Sequence, residues 1–378
     1  MAPVSPQFHT SNPSTISQTL GGVGHNVSKA AHLLGSTVRL CTAIGDDLSG
    51  RAAIAQLAAQ GLPTSGIRTL DSSTGHRTAQ YIAINDTSRN LVLAMADMSI
   101  MESSADFTTT WEKHISETQP KWLVADANWD PATLRAWLHA GKAVNARTAL
   151  EPVSVAKSTK LFTAASSTSS SKSQGPELPA FPHQLLDLAA PNALELAAMH
   201  MAARNAGLFD RDDWWSIIDA LGIPSSGARK QLCLATSPRL VDQGIPQQSI
   251  QLLPFIPCIL TKLGSQGVLL TMLLAGNDGR LRTAEAAPYI LSRCKNGTSE
   301  VGGVYMRLFP PAELVTGTEL VSVNGAGDTF LGALVAGLVR TGGGVENLIM
   351  GAQSAAVLSL KSKEAVSPGL AMLKGKLW

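Results

Sequence analysis

The chain has 378 residues, 44% of them hydrophobic and 15% charged, which allows a sizeable core and excludes disorder throughout. Its 30 Lys and Arg against 28 Asp and Glu leave a formal charge of +2. It lacks the basic excess or basic clusters that bind nucleic acid or an anionic membrane surface. Cys41, Cys233, Cys258 and Cys294 are scattered and form no CxxC pair, which excludes a disulfide framework or a zinc site and fits a reducing compartment. The N-terminal MAPVSPQFHT has no basic stretch followed by an apolar core, as a signal peptide would. The longest apolar run, 330–339, is half of the roughly 20 residues a membrane span needs. Composition therefore predicts a soluble, cytoplasmic, globular protein without membrane or nucleic-acid partners.

Residues 1–20, rich in Ser, Thr, Pro and Asn, read as a disordered leader. Apolar residues at helical spacing (Val23, Val27, Ala30, Ala31, Leu34), stopped by Gly35, predict a helix over 23–34. A strand at 37–44 and a helix at 48–59 follow, the alternation of a sheet with a parallel core. Within 66–98, short β segments at 77–84 and 90–96 flank a hairpin loop at 85–89 and predict a small β lid. Strand 121–125, helix 131–139 and strand 147–150 resume the alternation. The Ser/Thr tract 163–176 has no apolar period and predicts a disordered insertion. Beyond it come strand 184–188, helices at 193–204 and 212–221, and another helix within 227–241. Strands 258–262 and 268–273, a loop-rich stretch 277–303, and helices 326–339 and 345–360 close the chain. The fold class is α/β.

Four segments could carry chemistry. In Val323-Asn324-Gly325-Ala326-Gly327-Asp328, a glycine turn opens a strongly apolar helix. Its unpaired amides and helix dipole suit a phosphate or a developing oxyanion. Asp328 in the first turn can accept the proton of an alcohol attacking a phosphoryl group there; equally, Asp is favoured in any first helical turn. Gly21-Gly22-Val23-Gly24-His25-Asn26 is neither a Walker loop nor a GxGxxG turn. Its small residues allow a ligand near the backbone, or simply a flexible helix entry. Asn192 and Glu195 are three apart on one helical face. They could hold waters around magnesium, or form a capping box. The segment from Thr261 through Gly264 to Gly267 is a strand, a glycine turn and a second strand, either a nucleotide cradle or an ordinary hairpin.

In this order and spacing, the four segments resemble the signatures of the PfkB, or ribokinase-like, family of carbohydrate and nucleoside kinases. The likeness runs from about residue 20 to the C-terminus, interrupted by the Ser-rich tract. It implies one kinase domain over 21–378, a three-layer α/β/α sandwich with a mostly parallel central sheet and a lid over about 66–98. It also implies ATP with Mg2+, and transfer of the γ-phosphate to a 5′-hydroxyl. Asp328 would be the base; Gly325, Ala326 and Gly327 the anion hole; Asn192, Thr261, Gly264 and Gly267 the nucleotide contacts; Glu195 a ligand of magnesium through water. Gly22 and Asn26 would hold ribose hydroxyls. With an ordinary Asp pKa near 3.9, Asp328 would accept its proton late.

Several stretches are most similar to pseudouridine kinases: residues 21–26, Ala96-Asp97-Met98, Asp126-Ala127-Asn128 and the run Glu151 to Lys157. That likeness makes pseudouridine the expected acceptor, with Asp97 and Lys157 near its base. It also suggests a functional link to a pseudouridine-5′-phosphate glycosidase and a homodimer through the lid. Two departures stand out. Ser322-Val323 replaces the usual Asp-Thr, and no strand ending in a sugar-binding Asp precedes Gly21. They keep two alternatives open: a truncated, weak or inactive nucleotide- or nucleoside-binding member, and a kinase for ribose or adenosine.

Overall fold

The computed structural model describes residues 7, 9–16, 18–71, 73, 75–86, 91–102, 110–163, 178–223, 228–294 and 300–378. The Ser-rich tract after Thr163 and most of the hairpin loop at 85–89 lie outside them. The described residues before Gly22 carry no regular element beyond a turn.

The first helix, α1 (Val23–Leu33), starts at Gly22, whose φ of 101° favours glycine. Strand β1 (Thr42–Gly45) is shorter than its apolar pattern suggests. Helix α2 (Leu48–Ala59) matches the expected bounds, because Asp47 caps it through the Gly50 N–H. Strands β2 (Ile67–Leu70), β3 (Gln80–Asn85) and β4 (Leu91–Asp97) follow. β1 and β2 form a two-stranded parallel sheet, and β3 and β4 an antiparallel one. The β3–β4 pair is the expected lid, with Tyr81, Ile82, Leu93 and Met95 all exposed. Its stem is pinned at Thr78, whose N–H and hydroxyl both donate to the Asp47 carboxylate.

Helix α3 (Glu112–Thr118), strand β5 (Trp122–Asp126), helix α4 (Pro131–Ala143) and strand β6 (Arg147–Glu151) lead to the short α5 (Val155–Ser158) and β7 (Leu188–Ala189). Helices α6 (Ala193–Asn205) and α7 (Asp212–Ala220) come next. The single helix expected within 227–241 is two, α8 (Arg229–Ala235) and α9 (Pro238–Asp242), because Pro238 cannot continue a helix and instead starts one capped by Ser237. Helix α10 (Ile245–Leu252) has no counterpart in the sequence reading. Strands β8 (Cys258–Lys262), β9 (Val268–Ala275), β10 (Ile290–Arg293) and β11 (Val301–Phe309) then precede α11 (Ala326–Thr341) and α12 (Ile349–Leu360).

The stretch expected to be loop-rich therefore contains β10 and the start of β11. Gly302 and Gly303 look like turn residues but sit in a bulged strand. A Cβ on Gly302 would fall 2.4 Å from the Ala275 carbonyl oxygen, and one on Gly303 2.2 Å from that of Ser292.

The central sheet has seven strands in the order β10-β11-β9-β8-β7-β6-β5. β5 to β8 and β11 run one way, β9 and β10 the other. One face packs on α4, α6 and α7 through Leu134, Leu196 and Trp214. The other packs on α1, α11 and α12 through Ala30, Leu334 and Ile349. This is the three-layer α/β/α arrangement, with β5, β6 and β8 ending at one sheet edge. Among the described residues, no helix is long and apolar enough to cross a membrane.

Candidate active site

Helix α11 is buried without a break from Thr329 to Leu338, so it threads the α1–α12 layer rather than lying on it. At Gly332 it passes so close to α1 that a Cβ would fall 2.5 Å from the Val27 carbonyl oxygen. That close approach sets Asn26, on the first turn of α1, against Asp328, on the first turn of α11. Asn26 Nδ2 donates to Asp328 Oδ2 at 2.8 Å. Asn26 is 7% exposed, and its Oδ1 is buried without a partner, an acceptor left open for a donor.

The turn before α11 is held by Gly325, the N-cap, at φ 74°. A Cβ there would fall 2.3 Å from the Ala365 carbonyl oxygen, so only glycine fits. No side chain caps this helix, so its first amides remain available to an anion. Burial pushes the Asp328 carboxyl up to about 6; Asp126 and Glu195 add to the rise, while the Asn26 hydrogen bond and Lys262 oppose it. Desolvation thus makes Asp328 more basic than an ordinary aspartate, while leaving it a far weaker base than an alkoxide.

Three strand ends complete the site. Asp126, ending β5, accepts from the Gly24 N–H at 3.0 Å through Oδ2, and from the Asn128 N–H and Nδ2 through Oδ1. Lys157 Nζ donates to Asn128 Oδ1 at 2.6 Å. These bonds tie the Gly21–Asn26 turn to the Glu151–Lys157 segment. Burial raises the Asp126 pKa, against its hydrogen bonds. Glu151, ending β6, and Lys262, ending β8, form a buried ion pair with Nζ 2.8 and 2.9 Å from the two carboxylate oxygens. Burial pushes Glu151 up to about 7, against the pull of Lys262.

The sequence profile of the pfkB family of carbohydrate kinases matches residues 6–205 and 288–370. The chain belongs to this family. It is 28% identical over 377 residues to a pseudouridine-metabolizing bifunctional protein of Schizosaccharomyces pombe, covering 96% of this chain and 44% of that protein. It is 29% identical over 155 residues to the pseudouridine kinase of Escherichia coli K12, covering 41% of this chain and 47% of the enzyme. The chain thus spans less than half the length of either relative. Among solved structures, a ribokinase from Cryptococcus neoformans in complex with ADP superimposes with a TM-score of 0.59 at 17% identity, covering 98% of this chain and 94% of the ribokinase. The ribokinase of Thermotoga maritima gives 0.59 at 16% identity, with 99% and 94% covered. Both show the ribokinase-like fold.

In this pfkB-family chain, the Asn26–Asp328 bond joins the start of α1, which Gly22 caps, to the start of α11, formed by Gly325, Ala326, Gly327 and Asp328. The space in front of Gly22 and Gly264 is open, with nothing within 4 Å of a Cβ at either. Gly267 is fixed by packing instead: at φ 89°, its Cβ would fall 2.0 Å from the Phe309 carbonyl oxygen. Asn192 and Glu195 form the capping box: the Asn192 N–H donates to Glu195 Oε2 at 2.8 Å, and the Leu194 and Glu195 N–H groups to Asn192 Oδ1. Asn192 also bridges to Lys262, which brings the box beside the strand end.

Two expected residues sit elsewhere. Thr261 is fully buried, because the strand pleat turns it into the core and presents Lys262 on the α11 side. Asp97 is exposed at the end of β4, and its carboxylate accepts from the N–H and hydroxyl of Ser99 in its own turn. Asp126 is a carboxylate that the fold brings to the Gly21–Asn26 turn. It lay inside a stretch read only as subfamily likeness, and its hydrogen bond with Gly24 joins residues 102 apart.

Proposed function

We propose that the chain transfers the γ-phosphate of ATP to a primary hydroxyl of a nucleoside or sugar, with pseudouridine as the acceptor. The observation that carries this reading is the Asn26–Asp328 pair at the uncapped N-terminus of α11. Asp328, desolvated but still ionised above about pH 6, takes the proton of the attacking hydroxyl. The amides of Gly325, Ala326 and Gly327 stabilise the transferring oxygens. Asn26 Oδ1 and the open backbone at Gly22 receive sugar hydroxyls. Lys157 and Asn128 face the base, and the exposed lid closes over the sugar and offers the surface for a second copy.

The described residues contain no group of three or more His, Cys, Asp or Glu able to hold a metal. In this reading magnesium arrives with the nucleotide phosphates and Glu195 would hold it through water; bound there, it would neutralise phosphate charge. The pseudouridine assignment draws on the two curated relatives.

The test is ADP release from Mg-ATP with pseudouridine, uridine, adenosine and ribose in turn. Turnover confined to pseudouridine supports the full reading, and turnover with another acceptor keeps the kinase and moves the substrate. A folded sample that binds nucleotide and turns over none of the four is a binding protein.

A further inference from the structure

The Lys262–Glu151 pair has no place in the roles above. Its side chains are 17% and 5% exposed, and an ion pair this deep does not repay its desolvation in stability as an apolar pair would. Its location is specific. Lys262 is anchored by its backbone, with its N–H donating to the Pro191 carbonyl at 2.7 Å beside the Asn192 cap. Its side chain then runs to the first turn of α11. A Cβ on Gly327 would fall 2.9 Å from Lys262 Nζ, so glycine there is what lets the ammonium lie against the backbone of the anion hole. The ammonium also acts electrostatically on Asp328. An ammonium has three donors, and both Glu151 oxygens lie on one side of it, which leaves donor capacity toward the hole.

We propose that Lys262 is the side-chain cation of the phosphate site, contacting the transferring phosphoryl group, and that Glu151 is the positioning residue that aims it. This deepens the kinase reading and rests on it. In the step, the acceptor oxygen forms a bond to Pγ, and the bond from Pγ to the β,γ-bridging oxygen breaks with its electron pair leaving on ADP. The acceptor proton goes to Asp328. Charge grows on the bridging and equatorial oxygens, where backbone amides supply only partial charges and Lys262 supplies a whole one. Glu151 has a second effect. Without it, the ammonium, which already acts electrostatically on Asp328, would be free to pair with that carboxylate and occupy the base.

The experiment compares wild type with Lys262→Met, Lys262→Arg and Glu151→Gln. It measures thermal unfolding, turnover with the acceptor that works best, and the affinities for ADP and for a non-hydrolysable ATP analogue. Lys262→Met is expected to keep its ADP affinity within about twofold, to lose about tenfold or more for the ATP analogue, and to lose about 10²–10³-fold in kcat. Lys262→Arg should recover part of both losses. Glu151→Gln should lose about tenfold in kcat with ADP binding intact. If Lys262→Met does not fold, the Lys262→Gln/Glu151→Gln double variant, which keeps a neutral hydrogen-bonded pair, carries the same measurements. A folded variant with wild-type kcat, or one that loses ADP and the ATP analogue equally, overturns the proposal. Wild type inert on every acceptor removes the kinase reading alone, since the ADP-versus-analogue comparison still decides Lys262. Wild type that binds neither nucleotide removes both.

Discussion

Asn26 Nδ2 donates to Asp328 Oδ2 at 2.8 Å across 302 residues of sequence, joining the first turn of one helix to the first turn of another. The bond holds the carboxylate in place and opposes the rise that burial imposes on it. In the proposed reading Asp328 must be ionised to take a proton, so turnover should fall as pH drops below about 6. Replacing Asn26 by Asp substitutes a like charge for a donor and should push the Asp328 pKa higher. The acid limb of kcat/KM should then move up by about one pH unit. A pH profile of Asn26→Asp that overlays wild type would remove Asn26 from this role.

The same desolvation has a cost in stability, and its sign follows from linkage. The folded pKa of Asp328, about 6, lies above its value in the unfolded chain. The fold is therefore favoured while the group is protonated, and that advantage is lost as pH rises through about 6. Asp328→Asn is neutral at every pH. It should be more stable than wild type at pH 8 by about 1–2 kcal/mol, allowing for the partial exposure of the residue. The two should converge near pH 4, and turnover should be abolished throughout. Thermal unfolding at the two pH values, beside the ADP-release assay, checks both halves.

The parts of the site legible in the sequence were those whose chemistry is local. The Gly325–Asp328 turn, the Asn192–Glu195 box and the α2 bounds each depend on residues within a few positions of one another. What stayed hidden depends on register. Cys258–Lys262 is apolar on both faces except at its end, so nothing in the pattern says whether Thr261 or Lys262 points to the site. Glu151 and Lys262 lie 111 residues apart and meet only through the order of strands in the sheet. β11 was hidden by Gly302 and Gly303, whose bulge mimics a turn.

Val153 follows Glu151 and Pro152 in a tight turn, where the Ser154 N–H donates to the Pro152 carbonyl at 2.8 Å. Its φ of 72° is an unfavourable conformation for a β-branched residue, and such strain costs about 1–3 kcal/mol. The turn lies between Glu151 and Lys157, so the strain is stored where two site residues are aimed. Val153→Gly relieves it, partly offset by the larger entropy of the unfolded chain. The variant should be stabilised by about 1 kcal/mol, with the acceptor KM raised several-fold as Lys157 loosens. A fall in thermal stability with KM unchanged would contradict both the strain and its purpose.

Gly332 tests whether the contact of α1 with α11 sets the chemistry one turn away. A Cβ at this position would fall 2.5 Å from the Val27 carbonyl oxygen and 2.8 Å from the Ala30 methyl. Neither is the end of a flexible chain, so the helices themselves must separate. Overpacking of this kind costs about 1–3 kcal/mol. Its functional effect should exceed that cost, because Asn26 rides on α1 and Asp328 on α11, and a shift of a few tenths of an ångström lengthens their hydrogen bond. Gly332→Ala should remain folded, lose turnover by about tenfold or more, and move the acid limb of the pH profile upward as Asn26→Asp does. Gly337→Ala, which would meet only the Leu348 and Trp378 side chains at 3.0 Å or more, lies on the far part of the same helix and serves as the control. It should lower stability without moving the acid limb, which separates loss of packing from loss of the Asn26–Asp328 geometry.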